Sequence, residues 1–292
     1  MATRPQFLPA TAVAVGLGAS AAWHEARSFD MAAFALSMLA ALLCHSGMNT
    51  LNDYYDSKNG ADDLNRNALT PFTGGSRLIQ RGLMTQGETL ALGTALVAAG
   101  GLTGAYLALT VSPVLFVIGL LGVASGYFYS APPLFLAGRG LGELTVGLTF
   151  GLLTVLGAFV AQTGSIGLGP VIASLPLSFL IAAILFVNEF PDFEADRAAG
   201  KRTLVVRLEP QRARWGLVFL LAMAYASIVA GVFLGPLPSW SLSALITALI
   251  AIPGALCLLK NYDRARALTP AVKAMIAIHL FTGLLQIASN LV

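Results

Sequence analysis

Charged residues are scarce in this 292-residue sequence: only 11% are Asp, Glu, Lys or Arg, while 57% are hydrophobic. Soluble domains carry about 25% charged residues, so this composition excludes a water-soluble globule. A hydrocarbon core about 30 Å thick is crossed by a helix of about 20 apolar residues. The chain therefore has room for roughly eight to ten spans, and we expect one transmembrane domain over residues 1–292.

Cysteine is also scarce, and its placement argues against a thiol-based metal or redox centre. Cys44 and Cys257 lie in different apolar runs, without a CxxC pair, which indicates packed or lipid-facing thiols. The first apolar run, 8–23, follows Arg4 and has the length of a signal-peptide core. Because eight further runs follow it, we interpret this run as a retained membrane helix.

Apolar runs separated by polar, proline or glycine breaks predict nine membrane helices. Backbone groups in lipid must be hydrogen-bonded within a helix or a closed barrel, and runs this long exclude barrel strands. The predicted fold is therefore an all-α polytopic bundle. Its helices span 8–23, 31–52, 87–109, 112–130, 141–162, 169–190, 213–234, 239–259 and 270–291.

Charge is distributed very unevenly around these helices. The N-terminus and the loops after helices 2, 4, 6 and 8 hold sixteen of the seventeen Lys and Arg residues, and only Arg27 lies on the other side. The positive-inside rule then predicts a cytoplasmic N-terminus in a cell inner membrane. Most of the fourteen acidic residues crowd into two of the same loops. The loop over 53–86 is long, so we expect it to be a functional, ordered cap.

The first acidic cluster lies at the end of helix 2. If that helix continues to Asp56, then Asn49, Asn52, Asp53 and Asp56 lie on one face, because they are three or four residues apart. Asp62 follows in the loop. Its neighbour Asp63 we interpret as a solvated bystander.

The second acidic cluster lies at the end of helix 6. Asn188, Asp192 and Asp196 are four residues apart and form a single stripe. Pro191 should bend the helix there and turn the stripe toward the bundle interior. Glu194, off the stripe, we interpret as a bystander.

Carboxylates held together near hydrocarbon require positive charge, and magnesium suits them because it combines one or two carboxylates with waters and phosphate oxygens. The spacing therefore predicts a catalytic magnesium–diphosphate site on Asp53, Asp56, Asp192 and Asp196, with Asn52 as a further ligand. Asp62 is either a solvated cap or an additional ligand. Cations of the same loops are expected to contact phosphate oxygens. They are Lys58, Arg66, Arg77, Lys201 and Arg202.

Other polar and aromatic residues are candidates for substrate contacts. Tyr127 and Tyr129 form either an interfacial aromatic belt or a wall beside the diphosphate that stabilises an allylic cation. Asn49 and Asn188 are expected to bind substrate. His45 is interpreted as a packed or hydrogen-bonded residue. Arg4 and Glu143 join Asn49 and the tyrosines as candidates for acceptor binding.

These motifs resemble the UbiA superfamily of intramembrane prenyltransferases. Its members carry an NDxxDxxxD-type motif after the second helix and a DxxxD-type motif after the sixth. Asn52-Asp53-Tyr54-Tyr55-Asp56 is similar to the first, and Asp192 with Asp196 to the second. One departure is Gly60 where the general pattern has Asp, with Asp62 two residues later. That variant, with the loop 73–77 and the segments 140–143 and 200–208, resembles the branch that prenylates 1,4-dihydroxy-2-naphthoate.

The resemblance implies an enzyme of menaquinone biosynthesis whose partners are a polyprenyl diphosphate, an aromatic acceptor and the lipid bilayer. It implies that Mg²⁺ assists ionisation of the diphosphate, and that the acceptor loses carbon dioxide after attack at its carboxylated carbon. We expect no nucleic-acid partner. The alternatives are another acceptor (4-hydroxybenzoate, homogentisate, a chlorophyllide or glycerol phosphate) or a divalent-cation transporter. The sequence leaves prenyl chain length and oligomeric state open.

Overall fold

The computed structural model describes residues 2–65, 68–69 and 71–292, and the helices below are those of this part of the chain. The eleven helices are α1 (Leu8–Ala26), α2 (Met31–Asn59), α3 (Ala61–Leu64), α4 (Gln86–Thr110), α5 (Val114–Ser130), α6 (Gly142–Thr163), α7 (Leu168–Ala198), α8 (Leu204–Leu208), α9 (Pro210–Phe233), α10 (Ser239–Asn261) and α11 (Thr269–Leu291). Two of them, α3 and α8, are short.

The prediction of an all-α membrane bundle is confirmed. Eight helical segments of the described chain are long and apolar enough to cross a membrane, and α5 is a shorter apolar helix of 17 residues. Large apolar side chains cover the outside of the bundle: Leu102, Leu109 and Phe233 each expose more than 70% of their surface. Such an apolar exterior is stable only in contact with lipid.

Two helices extend well beyond their predicted ends. α2 continues to Asn59 and α7 to Ala198, whereas hydropathy placed their ends at 52 and 190. Apolar composition stops at the hydrocarbon boundary, but the helical hydrogen bonds continue through the polar residues that follow. Gly60, with φ of 79°, ends α2 in the left-handed conformation that glycine tolerates best. Both acidic clusters consequently lie on helix ends.

Close helix packing positions the α2 end of the site. α2 and α4 form the most extensive helix pair in the bundle. A Cβ atom added at Gly47 of α2 would lie 2.8 Å from the carbonyl oxygen of Gly93, and one at Gly100 of α4 would lie 2.9 Å from that of Ala40. Glycine at these positions lets the two backbones approach, as is common between membrane helices.

α7 is the most deeply buried helix and carries the second cluster. Leu180, Ala183, Phe186 and Val187 are fully buried, and α7 packs against α6, α9 and α11. α6 contacts α7 through a π-helical segment, Gly147–Leu153. Segments of this kind are rare and often occur at functional sites.

Candidate active site

The first cluster lies on the last turns of α2, as the spacing predicted. The Asn49 side-chain amide donates to the carbonyl oxygen of Thr3 (3.0 Å), and that of Asn52 to the hydroxyl of Ser130 (2.8 Å). Asp53 accepts a hydrogen bond from the guanidinium of Arg4. The N-terminal segment is therefore folded against the cluster.

The second cluster lies on the last turns of α7 and is held by the loop that follows α2. The Asp192 carboxylate accepts a hydrogen bond from the Asn65 side-chain amide (2.7 Å) and a long one from the backbone N–H of Gly74 (3.4 Å). In the same loop, the backbone N–H of Ser76 lies 3.3 Å from both carboxylate oxygens of Asp53. The loop thus covers both clusters, as a cap would.

Lys201 joins the two clusters. Its Nζ lies 3.7 Å from Oδ2 of Asp56 and 3.6 Å from Oδ1 of Asp196. Burial lowers the pKa of Lys201, but the carboxylates of Asp196 and Asp56 outweigh this and raise it well above its usual value. Lys201 therefore remains an ammonium ion between a carboxylate of α2 and one of α7.

Asp62 adds a further buried carboxylate. It lies on α3 with 5% of its surface exposed, and its Oδ2 has no hydrogen-bond partner among the described residues. Burial, followed by the charge of Asp56, raises the pKa of Asp62 to about 7 despite the opposing effect of Arg4. A Cβ atom at Gly75 would lie 2.6 Å from this oxygen, so glycine there leaves space for the carboxylate.

The donor set fits magnesium. Five carboxylates (Asp53, Asp56, Asp62, Asp192 and Asp196) surround two cations, Arg4 and Lys201. Within the described ranges, no three acidic, histidine or cysteine side chains form a ready-made cage for one metal ion. Magnesium does not require one, because it binds one or two carboxylates and completes its shell with waters and phosphate oxygens. The unpartnered Asp62 oxygen is an additional ligand of the right kind.

Below the carboxylates lies a cavity of about 610 Å³. Along α2 its lining residues run from Asp56 to Ser37, a helical distance of roughly 28 Å at 1.5 Å per residue. Its deeper wall is apolar and includes Leu107, Leu115 and Phe116. The cavity therefore combines a charged rim with an apolar interior nearly as deep as a hydrocarbon core, which suits a ligand with an anionic head and a long apolar chain.

Most of the predicted site residues meet at this cavity. Asp53 is buried and does not itself line the cavity; it accepts a hydrogen bond from Arg4, whose guanidinium also donates to Asn52. Arg4, an acceptor candidate, thus contacts the acidic cluster. The predicted residues that line the cavity are Asn49, Asn52, Asp56, Asp62, Tyr129, Asn188, Asp192, Asp196 and Lys201.

Four predicted residues are not brought to the cavity wall. Lys58 is exposed and its Nζ lies over the ring of Tyr54 (5.1 Å to the centroid). Arg77 donates to the carbonyl oxygen of Asn65 (2.9 Å), within the loop. Tyr127 is 40% exposed and Arg202 is exposed. Lys58 and Tyr127 each lie two residues from a cavity-lining residue of the same helix, Asp56 or Tyr129, so the helix turns their side chains to another face.

Two further predicted residues lie elsewhere. Arg66, predicted to bind phosphate, lies outside the described residues. Glu143, an acceptor candidate, is buried without lining the cavity. Asp63 and Glu194, interpreted as bystanders, are exposed.

Sequence reasoning missed the partners that hold the clusters in place. Asn65 and Ser130 bind Asp192 and Asn52. The carboxylate of Glu189 accepts a hydrogen bond from the backbone N–H of Val205 (3.0 Å) at the start of α8. Asn65 lies shortly after Gly60 and Asp62, the variant positions of the first motif, and Glu189 lies next to Asn188. The spacing of these residues in the sequence carries no signal of their long-range contacts.

Comparison with known proteins connects this geometry to a family. The sequence profile of the UbiA prenyltransferase family matches residues 11–282. The chain is 31% identical over 238 residues to a 1,4-dihydroxy-2-naphthoate octaprenyltransferase of Bacillus subtilis, covering 82% of this chain and 74% of the relative. It is 32% identical over 257 residues to the protein of that name from Mycobacterium tuberculosis, covering 86% and 82%.

Solved structures show the same fold. The chain resembles an apo UbiA homologue of Aeropyrum pernix with a TM-score of 0.70 and 22% identity, over 97% of this chain and 98% of that one. It resembles a UbiA homologue of Archaeoglobus fulgidus bound to GPP and Mg²⁺ with a TM-score of 0.67 and 18% identity, over 98% of both chains. At such identities the likeness establishes the arrangement of helices.

Proposed function

The chain belongs to the UbiA prenyltransferase family and is an integral membrane enzyme, and from this premise we propose that it transfers a polyprenyl group to 1,4-dihydroxy-2-naphthoate. The observation that carries the proposal is the pair of carboxylate clusters, bridged by Lys201, at the rim of a long apolar cavity. The rim suits a diphosphate with its counter-ions, and the cavity below suits a polyprenyl chain.

Each part of the site has a role in this reaction. Asn52, Asp53, Asp56 and Asp62 on one side, and Asp192 and Asp196 on the other, would hold Mg²⁺. When bound, Mg²⁺ would neutralise charge on the diphosphate leaving group. The ammonium of Lys201 and the guanidinium of Arg4 are placed to contact phosphate oxygens. The loop over both clusters excludes water from the allylic carbon, which would otherwise react with it.

The choice of 1,4-dihydroxy-2-naphthoate as the acceptor is supported by the relatives of the chain. Both bacterial relatives carry the name of a 1,4-dihydroxy-2-naphthoate octaprenyltransferase, and the GxD variant at Gly60 and Asp62 agrees with that branch. We propose that attack comes from the carboxylated ring carbon and that carbon dioxide is then lost. The distribution of cations supports a cytoplasmic location for the N-terminus and the active site.

The proposal is tested with the purified full-length protein in liposomes. Given Mg²⁺, a radiolabelled octaprenyl diphosphate and 1,4-dihydroxy-2-naphthoate, it should form a prenylated naphthoquinol and release carbon dioxide. Chelation with EDTA should stop the reaction and added Mg²⁺ should restore it. Product from 4-hydroxybenzoate but none from the naphthoate would refute the proposed acceptor.

Substitutions test the carboxylate assignment separately. Asp56→Asn and Asp196→Asn should each abolish turnover while leaving the protein inserted and folded, because an amide cannot balance the charge of a cation. Glu194→Gln is the matched control on α7, since Glu194 is exposed. Full activity in both aspartate variants would refute the site.

A further inference from the structure

A small polar group interrupts the apolar wall of the cavity one layer below the carboxylate rim. It consists of His45 on α2, Thr149 on the π-helical segment of α6 and Asn188 on α7, all of which line the cavity. We call these residues the polar belt. Polar groups in an apolar, membrane-embedded wall are costly unless they are paired, and they commonly mark functional sites.

All three members of the polar belt have unused hydrogen-bonding capacity. The Thr149 hydroxyl and the Asn188 side-chain oxygen are buried without a partner in the described part of the chain. His45, only 7% exposed, uses Nδ1 in a 2.7 Å hydrogen bond with the Thr11 hydroxyl. Its Nε2 is bonded to none of the described side chains or backbone groups. Three helices therefore place polar side chains with spare hydrogen-bonding capacity beside one chamber.

The chamber is suited to a flat aromatic molecule. The His45 ring packs against Phe150, with ring centroids 4.5 Å apart, and Ile181 and Ile184 of α7 line the same space. Apolar and aromatic walls with a few convergent polar atoms are typical of small-molecule sites. The polar atoms match the oxygens of a hydroxylated ring.

The depth of the chamber places it beside the reacting carbon. His45 precedes Asn52 by seven residues on the same cavity-lining face of α2, a rise of roughly 10 Å. A diphosphate bound at the carboxylate rim would direct its allylic carbon down the cavity, into the space between the rim and His45. An acceptor ring held by the polar belt would meet that carbon from below.

We propose that His45 is the base that takes the hydroxyl proton of the aromatic acceptor, while Thr149 and Asn188 hold the acceptor in place. This inference rests on the proposed function. In the tautomer whose Nδ1–H donates to Thr11, Nε2 is an unprotonated acceptor on a ring that lines the chamber. Thr11 then fixes the ring orientation, as the third group of a nucleophile–base–orienter set does.

The proton balance of the reaction gives His45 two steps. As the bond between the allylic carbon and the carboxylated ring carbon forms, the allylic C–O bond breaks and its electron pair leaves with the diphosphate. The neighbouring ring hydroxyl becomes a ketone by giving its proton to Nε2. Loss of carbon dioxide leaves the electron pair of the broken bond as an enolate, which takes the proton back. The naphthoquinol forms and His45 is regenerated.

The chain has three histidines, His24, His45 and His279, which allows a matched test. His45→Gln should lower kcat about 100-fold or more, in line with loss of a general base, with KM for the polyprenyl diphosphate changed less than about twofold. Added imidazole should restore part of the turnover of His45→Ala. His279→Gln, a buried control on α11, should turn over like the wild type.

The outcomes separate this inference from the proposed function. If the wild-type protein prenylates none of the three acceptors (the naphthoate, 4-hydroxybenzoate and homogentisate), both the proposed function and the role of His45 are refuted. Active wild type with an equally active His45→Gln variant, or a His45→Ala variant without response to imidazole, would refute only the role of His45. Should His45→Gln fail to insert, Thr11→Val makes the same test, because it removes the ring's orienting partner: slower turnover supports the role, and unchanged turnover overturns it.

Discussion

At the scale of single residues, the site depends on cations that the protein itself supplies. Lys201 lies between Asp56 and Asp196, and Arg4 binds Asp53 and Asn52. These contacts allow buried carboxylates to gather before a substrate is present, because unpaired buried charges are strongly destabilising. They also leave a net negative charge, with which added Mg²⁺ can combine.

Lys201→Met should therefore destabilise the substrate-free protein by about 3 kcal/mol, the cost of breaking a buried ion pair. Mg²⁺ should recover part of this loss, since it supplies the missing positive charge, whereas turnover should remain low. Thermal unfolding in detergent, with and without Mg²⁺, measures the effect. Lys58→Met is the control because Lys58 is exposed. An unchanged unfolding temperature for Lys201→Met would show that the bridge contributes nothing.

At the scale of helices, adjacent glycines of α4 have opposite functions. Gly100 faces α2, where a Cβ atom would lie 2.6 Å from Sγ of Cys44 and 2.9 Å from the carbonyl oxygen of Ala40. Gly101 has no neighbouring atom within 4 Å of its Cβ position, and neither has Gly119 of α5. The first glycine permits close packing, and the other two leave open space along the cavity.

Gly100→Ala should destabilise the protein by about 1–3 kcal/mol, the usual cost of overpacking. Gly101→Ala should cost nothing and gain up to about 1 kcal/mol, since alanine is the better helix former. Equilibrium unfolding in mixed micelles compares the two adjacent substitutions. Equal stabilities would contradict the packing role of Gly100.

Gly119→Leu should reduce the length of the prenyl donor that the enzyme accepts. No atom lies within 4 Å of a Cβ at Gly119, so the leucine side chain would extend into cavity space. Turnover of octaprenyl diphosphate should therefore fall at least about tenfold (~1.4 kcal/mol) while geranyl diphosphate is still used. Competition between the two donors measures the ratio. Ala99→Leu, at an exposed position of α4 away from the cavity, should leave the ratio unchanged. Equal losses for both donors would place the polyprenyl chain elsewhere.

At the scale of the whole molecule, both clusters, their cap and their counter-ions lie at one end of the bundle. Their cations belong to the sixteen that share one predicted side of the membrane. An active site at the end of an apolar bundle can bind the charged head of a polyprenyl diphosphate from the water side and its apolar chain from the lipid side.

The orientation predicted by the cations is measurable with single cysteines. In a variant lacking Cys44 and Cys257, Arg81→Cys should react with an impermeant thiol reagent only from the cytoplasmic side. Ser165→Cys, in the loop between α6 and α7, should react only from the opposite side. Both positions are exposed. The reverse pattern in oriented vesicles would invert the orientation.

The sequence alone determined the membrane class, the helices and the membership of the two clusters, because hydropathy and three- or four-residue spacing are local properties. Only the tertiary structure decided which neighbours act together. Lys201 enters the site and the adjacent Arg202 does not, and Tyr129 lines the cavity while Tyr127 faces away. Arg4 reaches Asp53 across 49 residues of chain. Loop paths and helix packing set these directions, and they depend on contacts between segments that are distant in the sequence.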